Sequence, residues 1–253
     1  MKNIRIIPRL DIKGPHVVKP VQTEALRIVG DPKTLMQRYY HEGADEIIYM
    51  DIVASLYQRN IDFDQLSSVT EGIFIPITVG GGIRTIQDIN NVLRAGADKV
   101  AINTHAIHHP EFLREAVAEF GSQCIVLSVE AMRQPDGGWE AYTDGGRELS
   151  GRNVVEWIKQ GLALGVGEIL LTSIDFDGTR RGYDLELARQ ITGFAQVPVV
   201  LHGGASGPES MVEAVSRAAV DAVAASSIFH YTDYTIGDVK KYLKEQGLNV
   251  RIL

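Results

Sequence analysis

Two carboxylates in this chain are placed where acid–base chemistry would be done. Asp11 ends the apolar run Ile6-Ile7-Pro8-Arg9-Leu10, and Glu130 ends Ile125-Val126-Leu127-Ser128-Val129. A pair of carboxylates across one pocket can divide acid and base roles if their surroundings push their pKa values apart. The plainer reading of Asp11 is a loop cap. Other strand-like runs also close on polar residues: Asp51, Asn103, Thr172 with Asp175 beyond it, His202 and Ser226. His202 stands beside glycines, which suits contact with a phosphate or carbonyl. No second His or Cys supports a metal ligand set there.

Two glycine runs offer a different chemistry. Ile77-Thr78-Val79-Gly80-Gly81-Gly82-Ile83 ends a β-branched run in glycines just before a helical pattern, and Val199-Val200-Leu201-His202-Gly203-Gly204-Ala205 repeats the arrangement. Glycines at such a turn let backbone N–H groups approach a ligand, and the following helix N-terminus favours an anion. A tight turn without a ligand is the bland alternative for one run alone. Gly81 and Gly203 are 122 positions apart, as are Asn103 and Ala225. A repeat held in register weighs more than a local motif. Two cradles in symmetric positions imply a ligand with a phosphate at each end.

These residues require elements to hold them. The chain reads as eight strands alternating with helices, in two copies of a four-strand unit spanning about 1–120 and 121–253. That fits a single α/β domain, a (β/α)8 TIM barrel of about 250 residues, whose active site lies at the C-terminal ends of the strands. Strands one and five, which carry Asp11 and Glu130, face each other in such a barrel. The segment from Lys13 to Asp31 reads as a long loop, a lid carrying Lys19, with a solvated lysine as the alternative. Asp175-Phe176-Asp177-Gly178 reads as a turn in which Gly178 offers its N–H to a phosphate. Ser226 to Phe229 suits a short extra helix at a phosphate site.

At the opposite ends of the strands lie Arg5, Glu46, Lys99 and Glu168, which alternate in charge. Spacing alone makes them a salt-bridged layer that stabilises the barrel floor.

Composition is that of an ordinary globular protein: 253 residues, 45% hydrophobic, 23% charged, net charge −7. The acidic balance argues against nucleic acid or anionic membranes as partners. No apolar run approaches the roughly 20 residues that span a bilayer. With Met1-Lys2-Asn3 running straight into a strand, no signal peptide is expected, and a cytoplasmic location follows. The single cysteine, Cys124, excludes an intramolecular disulfide and reads as a buried structural thiol.

Many ordered segments resemble the cyclase subunit of imidazole glycerol phosphate synthase, from histidine biosynthesis. They include Leu10-Asp11-Ile12-Lys13, Val17-Val18-Lys19, Gly30-Asp31-Pro32, Thr78 to Ile83, Gly96 to Val100, Ile102-Asn103-Thr104, Phe120 to Gln123, Gly167 to Asp175 and Asn249-Val250-Arg251. The resemblance implies that a glutaminase subunit docks on the bottom face and sends ammonia through the barrel. There the ammonia attacks a bis-phosphate ribulosyl aminoimidazole carboxamide nucleotide. The products are imidazole glycerol phosphate and aminoimidazole carboxamide ribotide, and no cofactor or metal is required. The family's catalytic pair falls at Asp11 and Glu130. Its phosphate contacts fall at Gly82, Asn103 and Thr104 in one half, and at Gly178, Gly204, Ala225 and Ser226 in the other. Its ammonia gate falls at Arg5, Glu46, Lys99 and Glu168, with Asp98 on the partner face, which reverses the purely stabilising reading. Arg9, Lys19, Asp51, Thr172, Asp177 and His202 complete the expected pocket.

Four positions depart from the family pattern: Glu130 for Asp, Arg9 for a small residue, His202 for Ser and Pro20 for Gly. They cluster on the active face. Two other readings therefore stand beside the cyclase: a paralogue that delivers ammonia to another substrate, such as amidine formation on a surface sugar, and a non-catalytic barrel that activates a glutaminase.

Overall fold

The computed structural model describes residues 2–21 and 24–252, with the side chains of 20–26 outside the description. Eight parallel strands close into a barrel: β1 (Arg5–Lys13), β4 (Ile47–Asp51), β5 (Ile77–Gly80), β6 (Lys99–Ile102), β7 (Ile125–Arg133), β10 (Glu168–Ser173), β11 (Val199–His202) and β12 (Ala222–Ala225). They pair in that order, and β12 returns to β1 through Arg5 opposite Ala222. Helices α1 (Pro32–His41), α2 (Phe63–Thr70), α3 (Ile86–Arg94), α5 (Glu111–Phe120), α6 (Val154–Ala163), α7 (Leu185–Thr192), α8 (Pro208–Ala218) and α10 (Ile236–Glu245) wrap the outside. Short helices α4 (Thr104–His108) and α9 (Ser227–His230) follow β6 and β12. The fold is the (β/α)8 barrel expected, with strands one and five of the ring, β1 and β7, on opposite sides. Among the described residues, no helix is long and apolar enough to cross a membrane.

Two antiparallel extensions modify the expected plan. The segment read as a long loop is a hairpin of β2 (His16–Val21) and β3 (Glu24–Gly30), with β2 paired to β1. The turn at Gly14-Pro15 and the apolar pair Val17-Val18, both buried, explain it: β2 lays Val17 against Ile12. In the other half, β8 (Trp139–Thr143) pairs with β7 and β9 (Glu148–Asn153) with β8. Each half of the barrel thus begins with a nine-residue strand that runs on into an antiparallel pair.

Two separate apolar cores result. The larger lies between helices and strands. The smaller fills the barrel itself and includes Ile7, Ile48, Ala101, Val126, Leu170, Val200 and Ala224. Because strand side chains alternate between faces, β1 sends Arg5, Ile7, Arg9 and Asp11 into the barrel in successive layers. Carboxylates at the strand starts tie the floor together: Asp45 accepts from Ile6 N at 2.8 Å, Asp98 from Ile77 N at 2.8 Å and Asp221 from Val199 N at 2.9 Å. Cys124 departs from expectation. It ends a 3₁₀ turn just before β7 and is half-buried at the edge of the outer core rather than inside it.

Candidate active site

The top of the barrel gathers the predicted residues into three adjoining cavities. The largest, about 360 Å³, is lined by Gly82, Asn103 and Thr104 together with Asp51 and Glu130. A narrow cleft of about 10 Å³ is lined by Gly178, Gly204, Ala225 and Ser226, with Lys19, Asp177 and His202. Between them a cavity of about 20 Å³ is lined by Arg9, Asp11, Glu130, Thr172 and Asp177. It shares Glu130 with the first cavity and Asp177 with the second. The two predicted phosphate sets therefore lie on either side of the two predicted carboxylates.

The glycine runs show why the halves match. At Gly81 (φ 105°) a Cβ would stand 2.1 Å from the Asp51 carbonyl oxygen, and at Gly203 (φ 98°) 2.6 Å from that of Ser173. Positions 51 and 173 are again 122 apart. In both halves the chain leaves its strand pressed on the end of the neighbouring strand, in a conformation only glycine takes readily. Thr104 Oγ1 accepts a hydrogen bond from Asp144 N at 3.0 Å, which ties the first cradle to the loop after β8.

The carboxylates occupy contrasting surroundings. Asp11 is fully buried, and Arg9 Nε donates to its Oδ1 at 2.8 Å. Lys19 Nζ lies 3.7 Å from Asp11 Oδ2 and donates to Asp177 Oδ1 at 2.9 Å. Burial pushes the Asp11 carboxyl up, but Arg9 and Lys19 outweigh it and hold it below its ordinary value. Glu130 accepts from Asn103 Nδ2 at 2.9 Å, and among the described residues no cation is hydrogen-bonded to it. Burial raises it to about 7; Arg9 opposes the rise and the Asp11 charge adds to it. One carboxyl is thus held ionised while the one opposite holds its proton near neutrality.

Lys19, read as a lid residue, is instead 3% exposed on β2. Its ammonium is held by strand pairing, because the segment that carries it is a hairpin. The Pro20 side chain lies outside the described residues. Thr172 and His202 meet Arg9: Arg9 Nη1 is 3.1 Å from Thr172 Oγ1 and 3.3 Å from His202 Nδ1. His202 is buried and pushed well below its usual pKa, first by burial and then by Arg9 and Lys19. Ser226 Oγ donates to the Arg9 carbonyl at 2.9 Å. Asp51 faces the first cavity but is paired with Arg59 at 2.8 Å. Asp175 is not among the residues lining the three cavities; its carboxylate accepts from Arg133 N at 2.8 Å.

Two parts of the site were not singled out in the sequence: Arg59, which pairs with Asp51 but lines none of the three cavities, and a segment after β8. Arg59 lies on an irregular segment between β4 and α2, with no periodicity to mark it. The Asp144-Gly145-Gly146-Arg147 segment, whose Gly145 lines two cavities, did carry a turn signal in its Asp-Gly-Gly.

At the floor, Arg5, Glu46, Lys99 and Glu168 form a closed ring. Arg5 donates to Glu46 at 2.6 Å and to Glu168, and Lys99 donates to the same two carboxylates at 2.9 and 2.7 Å. Thr78 Oγ1 adds a bond to Glu46 at 2.5 Å. Asp98 is exposed beside the ring.

A closed ring of eight parallel strands, with a buried carboxyl at the end of β1 and a half-buried one at the end of β7, defines a protein of the (β/α)8 class. A model of the family described as "histidine biosynthesis protein" matches residues 5–235. The imidazole glycerol phosphate synthase subunit HisF of Dehalococcoides mccartyi is 47% identical over 252 residues, 100% of this chain and 99% of that protein. The chain belongs to the histidine biosynthesis protein family. It is a close homologue of the synthase's cyclase subunit, which supports the cyclase reading over an altered substrate or a non-catalytic barrel.

Proposed function

We propose that this chain performs the ammonia-dependent cyclisation step of imidazole glycerol phosphate synthesis, with Asp11 as base and Glu130 as acid. The observation that carries the assignment of roles is the opposite bias of the two carboxyls on facing strands. When ammonia adds to the ribulosyl carbonyl, its nitrogen must lose protons and the carbonyl oxygen must gain them before leaving as water. A carboxylate held ionised takes the first task and a carboxyl still protonated near neutrality the second. Gly82, Asn103 and Thr104 hold one substrate phosphate, and Gly178, Gly204, Ala225 and Ser226 the other. The second cleft is narrow, so a phosphate entering it replaces Asp177 as the anion on Lys19.

Ammonia enters from a glutaminase docked on the floor, through the ring of Arg5, Glu46, Lys99 and Glu168. Asp98 lies at the edge of that face, and Phe74, 85% exposed ahead of β5, is an aromatic of the kind that anchors interfaces. The chain works as one domain of two similar halves, supported by the repeated 122-residue spacing. Membership of a biosynthetic enzyme family supports a cytoplasmic location.

Incubation with the bis-phosphate nucleotide and ammonium salt at alkaline pH tests the reading without any glutaminase. Imidazole glycerol phosphate and the ribotide are the expected products. A folded protein that binds phosphate but yields neither product would overturn the reading.

A further inference from the structure

We propose that Arg9 is the positioning residue of the acid–base pair: its guanidinium fixes the Asp11 carboxylate from two places back on the same strand and braces it across the barrel mouth on Thr172 and His202. The proposal rests on the acid–base reading above.

Arg9 and Asp11 share the inward face of β1, since strand neighbours two apart point the same way. Both are buried, at 4% and 1% exposure, and a buried cation persists only when paired and hydrogen-bonded. Arg9 uses its planar fork in two directions. Nε donates to Asp11 Oδ1 at 2.8 Å, while Nη1 points to Thr172 Oγ1 at 3.1 Å and His202 Nδ1 at 3.3 Å. A guanidinium only donates, so His202 Nδ1 is the acceptor and the ring carries its proton on Nε2. That N–H faces Ser226 Oγ at 3.5 Å, and Ser226 donates back to the Arg9 carbonyl at 2.9 Å. The brace closes on itself: Arg9 to His202 to Ser226 to the main chain of Arg9. The side chain that Asp11 leans on is therefore anchored at three points on strands β1, β10 and β11 and at the end of β12.

Asp11 is faced by Arg9 on its own strand, Lys19 from β2, Asp177 from the loop after β10, Glu130 from β7 and His230 from α9, and Arg147 from the loop after β8 lines the same cavity. Among the described residues, Lys19 is the one other cation within 4 Å of its carboxylate, at 3.7 Å, and the closer contact of Lys19, at 2.9 Å, is Asp177. Lysine at position 9 would supply a charge without the fork that spans Asp11, Thr172 and His202 at once. Arg9 also lines neither phosphate cradle, only the cavity between them. Its side chain contacts the pair directly and reaches the second cradle through His202.

The test is ammonia-dependent turnover of the full chain across pH for wild type, Arg9→Gln and Arg9→Lys. Arg9→Gln is expected to lose about a hundredfold in kcat, the scale of a misplaced catalytic group, with KM for the nucleotide little changed. Its acid limb should move to higher pH, because Asp11 has lost its nearest cation. Arg9→Lys should return the limb toward wild type without restoring kcat. Unmoved limbs in Arg9→Gln, or a raised KM with kcat intact, would overturn the proposal. Carboxyl-carbon NMR of Asp11 supplies a readout apart from activity. A midpoint that rises in Arg9→Gln supports it, and an unmoved one refutes it even if wild type proves to have no cyclase turnover, an outcome that would sink the acid–base reading itself. If Arg9→Gln does not fold, Arg9→Lys decides: wild-type kcat and midpoint overturn the proposal, and reduced kcat at constant KM supports it.

Discussion

Replacing Glu130 by Gln should make the protein more stable at alkaline pH and leave it nearly unchanged in mild acid. The folded carboxyl is raised from an ordinary 4.5 to about 7. A carboxyl raised in the folded state favours folding while it is protonated. Its contribution is fully present below about 4.5 and lost as pH rises through about 7. The difference of 2.5 units, at about 1.36 kcal/mol per unit, corresponds to about 3 kcal/mol; this is an upper bound, because part of the carboxyl surface opens on the cavity. Gln cannot ionise, keeps the volume, and can still accept from Asn103 Nδ2, which lies 2.9 Å from the present carboxylate. Urea unfolding of both proteins at intervals from about pH 3.5, a unit below the ordinary carboxyl value, to about pH 8.5 measures the effect. The Gln variant should match wild type at the acid end and gain up to about 3 kcal/mol at the alkaline end, or roughly 6–12 °C in Tm for a chain of this size. Asp11, His202 and His230 also titrate away from their ordinary values, but they are common to both proteins and cancel in the difference. A difference that stays flat over the whole range would refute the raised carboxyl, and with it Glu130 as the acid.

Two further outcomes bear on the floor and the cradles. Lys99→Met should reduce glutamine-dependent turnover much more than ammonia-dependent turnover when both are assayed on the same complex; equal losses would leave the ring a structural layer only. Gly204→Ala places a Cβ 2.0 Å from the Gly182 carbonyl oxygen at φ 97°. It should cost about 1–3 kcal/mol in unfolding experiments and abolish one of two inorganic phosphate sites in calorimetry, and unaltered two-site binding would count against the second cradle.

The barrel was legible because its strands end in polar residues after β-branched runs, and because the second half repeats the first. Asp11, Asn103, Glu130, Thr172, His202 and Ser226 could be placed at the mouth from that pattern alone. The hairpin from His16 to Gly30 was hidden because Pro20 interrupts β2 and little apolar alternation marks β3. Its formation depends on pairing with β1, a partner that local sequence does not specify. Helix α7 begins at Leu185, where the Asp184 side chain caps it by accepting from Leu187 N. The identity of Arg9 was visible, but not that its Nη1 reaches residues 163 and 193 positions away. Arg59 is the extreme case, a partner for Asp51 supplied by chain with no regular structure.

The floor ring has a property that follows from its connectivity. Each of its two carboxylates is bridged to both of its cations, so the four side chains form a cycle. Cutting a cycle at one corner leaves an unbroken path. If Lys99 swings out, Glu46 and Glu168 remain joined through the guanidinium of Arg5, and Glu46 keeps the Thr78 hydroxyl as well. Loss of the Lys99 contacts would therefore leave neither carboxylate of the floor without a cation. The corner suited to moving is the lysine, a single ammonium on a flexible stem, whereas the arginine fork makes both of its bonds at once. The floor thus carries a redundancy of pairing: with the contacts of any one corner lost, the other three side chains would stay joined.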